Sequence, residues 1–341
     1  MSATIDRPAA VGAPGAGTAT TTTMTGAINA ALADELAGDE TVVLLGEDIG
    51  RLGGVFRVTD GLQRRFGDAR VLDTPLAESG IVGTAVGMAM RGRRPVVEIQ
   101  FDGFVFPAFD QIVTQLARLH ARSAGRVRMP VTVRIPYGGG IGAVEHHSES
   151  PEAYFCHTPG LRVATFSGVQ DAYDATRTAI RSDDPVILLE PKGRYWDRGE
   201  LRREPGAAPA PTVLRRSGTD ATLIAYGPTV ATCLAAADVA ATEGRSLAVV
   251  ELRSLAPLDL GPAVEAVRGN GRAVVVAEAP RTGSLAAEIA AALTEEAFYS
   301  LEAPVLRVGG FDVPYPPSRL EHQYLPDVDR ILDAVDRAEA F

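Results

Sequence analysis

Cysteine is almost missing from this sequence: 341 residues hold only Cys156 and Cys233. The two stand far apart with no C-x-x-C pair, which excludes a framework of closely spaced disulfides and fits free thiols in a reducing cytoplasm. Long apolar runs are missing as well. "IVGTAVGMAM" reaches only ten residues before Arg91 ends it, far short of the ~20 that cross a bilayer. Basic charge is in deficit, with 33 Lys and Arg against 43 Asp and Glu for a net charge of −10. That balance argues against general binding to nucleic acid or to an anionic membrane surface, both of which need a basic face. The densest basic run, "RLHARSAGRVR" (118 to 128), reads as a solvated helix end. The first 23 residues lack the basic start and apolar core of a signal peptide, and their single Arg and Asp fit a mitochondrial presequence poorly. Residues 1–23 are expected to be a disordered tail, and Met24 opens the first helical pattern.

What is present is an ordinary globular composition, 46% hydrophobic and 22% charged, in a chain long enough for two cores. Short β-rich runs, "TVVLLGE" (41 to 47), "RPVVEIQF" (94 to 101), "PVTVRIP" (130 to 136) and "PVILLEP" (185 to 191), alternate with helical stretches such as "PAFDQIVTQLARLHARS". The alternation predicts an α/β fold with mostly parallel sheets and helices on their faces. Residues 201–217, rich in Pro, Ala and charge without periodicity, read as a linker. The alternation then resumes through "ATLIAYG", "SLAVVELRS", "RAVVVAEAP" and "PVLRVGG". Two domains follow, over residues 24–200 and 218–341. The closing "DVPYPPSRLEHQYLPD" has the look of an ordered arm.

Three stretches could carry chemistry. Glu78 begins a run of small and apolar residues in "DTPLAESGIVGTAVGMAMRG" (73 to 92). A carboxylate facing a packed interior needs a partner or a raised pKa. Gly80, Gly83 and Gly87 each cost about 1 kcal/mol inside a helix, so together they point to close backbone approach. Two readings stand: a first-turn acid favoured by the helix dipole, or a buried carboxyl gripping a ligand nitrogen. The glycines lie within the helix pattern, so no dinucleotide fingerprint is present. In "PYGGGIGAVEHHSESPEAYFCHTPG" (136 to 160) a triple-glycine loop precedes three of the five histidines, His146, His147 and His157. No Lys-Ser/Thr follows the glycines, so a phosphate loop is unsupported. Zinc on these histidines with Cys156 is disfavoured, because neighbouring residues point in different directions and chelate one ion poorly. A histidine presented as a proton donor stands beside one merely satisfied by backbone. Finally, "VVEIQFDGFVFPAFDQIV" (96 to 113) delivers Gln100 at a strand end and then Phe101, Phe104, Phe106 and Phe109. The rings read first as core, whereas a buried amide requires partners.

Taken in order, "LGEDIGRLGGVFRVTDGL", the Glu78 and Gln100 stretches, "HHSESPEAYFCHTPGLRV" and "DDPVILLEPK" resemble the beta subunit of thiamine-diphosphate-dependent 2-oxo acid dehydrogenases, from about residue 25 to the C-terminus. "TPLAESGIVG" and "HHSESPEAYF" are most similar to the branched-chain branch; pyruvate and acetoin dehydrogenases are the alternatives. The resemblance implies a thiamine-diphosphate-fold pyrimidine-binding domain followed by a transketolase-like C-terminal domain. It implies that Glu78 hydrogen-bonds the aminopyrimidine ring nitrogen, and that Leu76, Gln100 and Phe104 line the pyrimidine pocket. Many relatives carry Tyr where Phe104 stands. His147 would assist reductive acylation of a lipoyl group, with His146 as its rival, and Glu47 would match an acid linking paired active sites. The family's Gly-Asp-Gly motif for magnesium and diphosphate is absent. The resemblance therefore implies an alpha subunit that holds the magnesium, two alpha and two beta chains, and a lipoyl acyltransferase core that the closing arm helps dock. A non-catalytic structural subunit is the reading from another class.

Overall fold

The computed structural model describes residues 19–203 and 209–341. Runs of Val, Ile and Leu too short for helices form strands buried on both faces, as parallel sheets require. The first half holds β1 (Thr20–Thr23), β2 (Val42–Gly46), β3 (Val71–Asp73), β4 (Arg94–Glu98), β5 (Thr132–Tyr137), β6 (Arg162–Thr165), β7 (Val186–Pro191) and β8 (Arg198–Leu201). The second adds β9 (Thr212–Arg216), β10 (Ala221–Tyr226), β11 (Leu247–Leu252), β12 (Ser254–Ala256), β13 (Ala273–Pro280) and β14 (Leu306–Gly310). Between them run α1 (Met24–Gly38), α2 (Leu62–Phe66), α3 (Glu78–Met90), α4 (Leu119–Arg122), α5 (Glu152–Cys156) and α6 (Val169–Arg181). The helices of the second half are α7 (Thr229–Thr242), α8 (Gly261–Asn270), α9 (Leu285–Ala297), α10 (Glu321–Tyr324) and α11 (Val328–Glu339).

The first sheet runs β12-β6-β7-β5-β4-β2-β3, with only β12 antiparallel. The second runs β14-β13-β10-β11-β9, with only β9 antiparallel. One face of the first sheet is covered by α1 and α6, through Ile28, Leu32 and Leu36 against Phe166 and Ile180. The other face carries α3 and the segment after β4, and its core continues without a break into the second sheet through Tyr226, Leu252 and Ile289.

Three expectations are corrected. The tail is ordered from residue 20: β1 pairs antiparallel with β8, and Thr23 caps α1 by accepting from the Gly26 N–H at 3.1 Å; residues 1–18 lie outside the described residues. The linker region carries strand towards both its ends: Leu201 ends β8, and β9 (Thr212–Arg216) joins the second sheet beside β11, while 204–208 lie outside the described residues. The helical stretch expected over 107–123 is divided between a 3₁₀ segment (Asp102–Ala108), a π-helical stretch (Gln111–Leu116) and α4. Pro107 lies within the 3₁₀ segment, where it removes a backbone donor. The basic run beyond it is mostly exposed, as a solvated helix end would be.

Candidate active site

In the first sheet the chain leaves β2 for β3 at one edge, then crosses back to β4 on the other side of β2. The carboxyl ends of β2 and β4 thus flank a topological switch point, where open α/β sheets bind ligands. Glu47 follows β2, Gln100 follows β4, and Glu78 starts α3 just after β3. The Gln100 side-chain N–H₂ donates to the Glu47 carbonyl at 3.2 Å. Glu78 is buried, at 7% exposure, yet its carboxyl has no hydrogen-bond or ion-pair partner among the described residues. A like charge is close by: burial first, then the Glu78 charge, lifts the Glu47 carboxyl above its ordinary range. The Thr74 hydroxyl, one residue past β3, is also sheltered without a partner. Leu76, two residues before Glu78, stands 74% exposed. Among the described residues the glycines of α3 do not meet a second backbone: a methyl group at Gly87 would touch nothing within 4 Å, and one at Gly83 would meet only the Gln111 side chain at 3.5 Å.

The histidine loop leans on the segment after β4. The half-buried His147 ring stacks on Phe101, with centroids 3.9 Å apart and planes 12° from parallel. Phe104 meets the same imidazole edge-on at 4.9 Å. His147 Nδ1 lies 2.8 Å from the His146 carbonyl, so Nδ1 carries the proton in that contact and Nε2 is left for other work. His146 is exposed and sits by Glu145. His157 and Cys156 line a separate hollow against α9, and burial pushes the Cys156 thiol up, away from reactivity. Among the described residues no three His, Cys, Asp or Glu side chains are grouped to hold a metal ion.

Beneath the switch point lie charges that the sequence reading missed. Arg134 on β5 donates to both Glu190 oxygens, at 2.7 and 2.9 Å, and to Glu98 at 2.7 Å. Tyr195 adds a hydroxyl to Glu190 at 2.5 Å. Burial opposes the Arg134 charge, but the two carboxylates hold its pKa above the ordinary value. Lys192 Nζ meets Asp102 at 2.8 Å, both residues 1% exposed. The triple-glycine loop is held by the second domain: the Gly139 N–H donates to Glu278 at 3.0 Å, and those of Gly140 and Gly142 donate to the two oxygens of Glu321 at 2.9 and 3.0 Å. Tyr315 also donates to Glu321, at 2.8 Å. The closing arm therefore packs on this loop. Its Tyr-rich composition is the one signal that pointed to order there.

Residues 20–196 match the transketolase pyrimidine-binding domain family, and residues 211–331 match the transketolase C-terminal domain family. The chain is 59% identical over 319 residues to a protein of Leifsonia xyli named pyruvate dehydrogenase E1 component subunit beta, covering 93% of this chain and 95% of the relative. It is 54% identical over 319 residues to the 3-methyl-2-oxobutanoate dehydrogenase subunit beta of Mycobacterium tuberculosis, covering 92% and 91%. Among solved structures, a split gene transketolase described as an inactive beta4 tetramer superposes with a TM-score of 0.74 at 22% identity, over 93% of this chain and 98% of that one. That likeness speaks to the fold alone.

Proposed function

This chain belongs to the beta-subunit family of thiamine-diphosphate-dependent 2-oxo acid dehydrogenases, and from that premise we propose that it forms half of an active site that decarboxylates branched-chain 2-oxo acids. The observation that carries the reading is Glu78: a residue buried at a helix start whose carboxyl has no hydrogen-bond or ion-pair partner among the described residues. A carboxyl placed this way is free to pair with a donor that a bound group brings. When bound, thiamine diphosphate supplies an electron sink for the carbanion left by departing carbon dioxide. The residues present suit its pyrimidine end. Glu78 would hold a proton between its carboxyl oxygen and the ring nitrogen, and Gln100, Phe104 and Leu76 would line the ring. The orphaned Thr74 hydroxyl offers a further polar contact.

The diphosphate end is assigned elsewhere. With no Gly-Asp-Gly run in the chain, the alpha subunit would hold the diphosphate and magnesium, in a cytoplasmic assembly of two alpha and two beta chains on a lipoyl acyltransferase core. Leu76, exposed beside Glu78, would face that partner. His147, with its Nδ1–H directed at a carbonyl and its ring held on Phe101, would present Nε2 as the proton donor or acceptor for acyl transfer to the lipoyl group. Branched-chain substrate is favoured by the "TPLAESGIVG" and "HHSESPEAYF" stretches and by the name of the Mycobacterium tuberculosis relative. Pyruvate is the second reading, favoured by the name of the Leifsonia xyli relative.

Reconstitution with the alpha subunit, followed by kcat/KM for 3-methyl-2-oxobutanoate and for pyruvate, tests the assignment. The branched substrate is expected to be preferred by about tenfold or more, the discrimination that one or two methyl groups give in an apolar pocket. A preference for pyruvate overturns the substrate, and turnover of neither by the assembled complex overturns the catalytic reading in favour of a structural subunit.

A further inference from the structure

Lys192 closes the "DDPVILLEPK" stretch, yet neither the chemistry nor the cofactor pocket gives it a task. It sits in the 3₁₀ turn after β7 (Lys192–Arg194), and its ammonium is sealed against Asp102. Burial pushes the Lys192 pKa down despite Asp102, and pushes that of Asp102 up despite Lys192. A sealed pair of this kind is a poor stabiliser: replacing both members by apolar residues is often neutral or favourable. Its use lies in the second oxygen of Asp102, which accepts the Glu149 N–H at 2.8 Å. An ionised acceptor makes that bond short and strong. Glu149 is two residues beyond His147, and its carbonyl accepts from the Gly138 N–H at 2.9 Å.

Two more contacts align the same segments. Phe101, next to Asp102, stacks on His147. Gly103, on the other side, leaves no space for a methyl group, which would collide with the His146 carbonyl. Residues 101–103 and 146–149 are thus joined at three successive points, and the only charged one is anchored by Lys192.

We propose that Asp102 and Lys192 are a positioning pair that fixes the His147 segment for acyl transfer. The proposal rests on the reading of His147 given above. It is tested in the assembled alpha–beta complex with two double variants. In Asp102→Leu with Lys192→Met, both charges and the bond to Glu149 are removed. The kcat for acylation of a lipoyl domain should fall about 10- to 100-fold, as a displacement near 1 Å would produce, with its KM and the rate of decarboxylation to an artificial electron acceptor held within about twofold. Asp102→Asn with Lys192→Met restores a neutral acceptor for the Glu149 N–H and should recover most of the loss; were the first variant not to assemble, this one should still show a smaller loss confined to acylation. Equal losses in both half-reactions, or no loss in a folded complex, overturn the proposal. His147→Gln is measured alongside. Unimpaired acylation by that variant refutes the role of His147, whereas impaired acylation there with none in the pair variants refutes the pair alone.

Discussion

At the scale of single residues, the molecule separates charges that hold the fold from a charge that waits. Arg134 is fully partnered by Glu98 and Glu190. Removing it leaves two buried carboxylates uncompensated, so Arg134→Met is expected to destabilise the chain by about 3–5 kcal/mol, measurable by urea unfolding. Glu78 is the reverse case. Among the described residues it has no donor to lose, and a like charge lies near in Glu47, so Glu78→Gln should leave the unfolding midpoint unchanged or raised while lowering decarboxylation about 100-fold or more. Near-normal turnover by Glu78→Gln removes the mechanism. The contrast also marks what was legible beforehand. Glu78, Gln100 and the histidine pair stood out because each interrupts a local pattern, a small-residue helix, a strand end or a glycine loop. His147 was preferred over His146 on resemblance alone, and its stacking on the Phe101 ring was not legible in the sequence. Arg134 and Lys192 were invisible, because their partners lie 36, 56 and 90 positions away and only strand order brings them together.

Among the elements, strands were easier to read than what joins them. A buried strand announces itself by composition alone, and the runs around 41–47, 94–101, 130–136 and 185–191 became β2, β4, β5 and β7. β1 and β9 were not visible, since a run of Thr and a segment with only two apolar residues carry little apolar signal and depend on pairing with β8 and β11. The segment after β4 has helical periodicity but must also deliver Phe101 and Phe104 to the histidine loop. It does so by departing from α geometry through 3₁₀ and π turns, a departure that helices often make at functional sites. The glycines of α3 were expected to mark close packing, and they face outward instead: Gly80 and Gly87 are exposed. With nothing within 4 Å of a methyl group at Gly87, Gly87→Ala should stabilise the isolated chain by about 1 kcal/mol through helix propensity alone, seen as a raised thermal midpoint. A lowered midpoint instead means that the helix face is already engaged in the isolated chain.

The whole molecule is tied together across its two sheets. β12, from the second half of the chain, completes the first sheet beside β6, Glu321 and Glu278 hold the glycine loop, and one apolar core spans both sheets. Glu152 lies on this seam. It starts α5 in the first half, is fully buried, and accepts the hydroxyl of Tyr226 at 2.7 Å from the end of β10 in the second. Its other oxygen has no partner among the described residues. Burial, only partly offset by the Tyr226 bond, raises its pKa from 4.5 to about 7. The sign follows from proton counting. Below the unfolded value both states hold the proton, and the stability this group contributes is fully present. Between the two values the folded chain keeps a proton that the unfolded chain releases, so stability falls as pH rises, and above the folded value the loss is complete, at most about 3 kcal/mol. Glu152→Gln keeps the Tyr226 hydrogen bond and removes the titration. Unfolding free energies measured from pH 4 to 8 should therefore diverge, with the variant gaining on the parent through the interval from 4.5 to about 7 and the gap levelling off above it. A constant gap across that interval means that Glu152 is already ionised in the folded chain, and that the seam between the domains admits water.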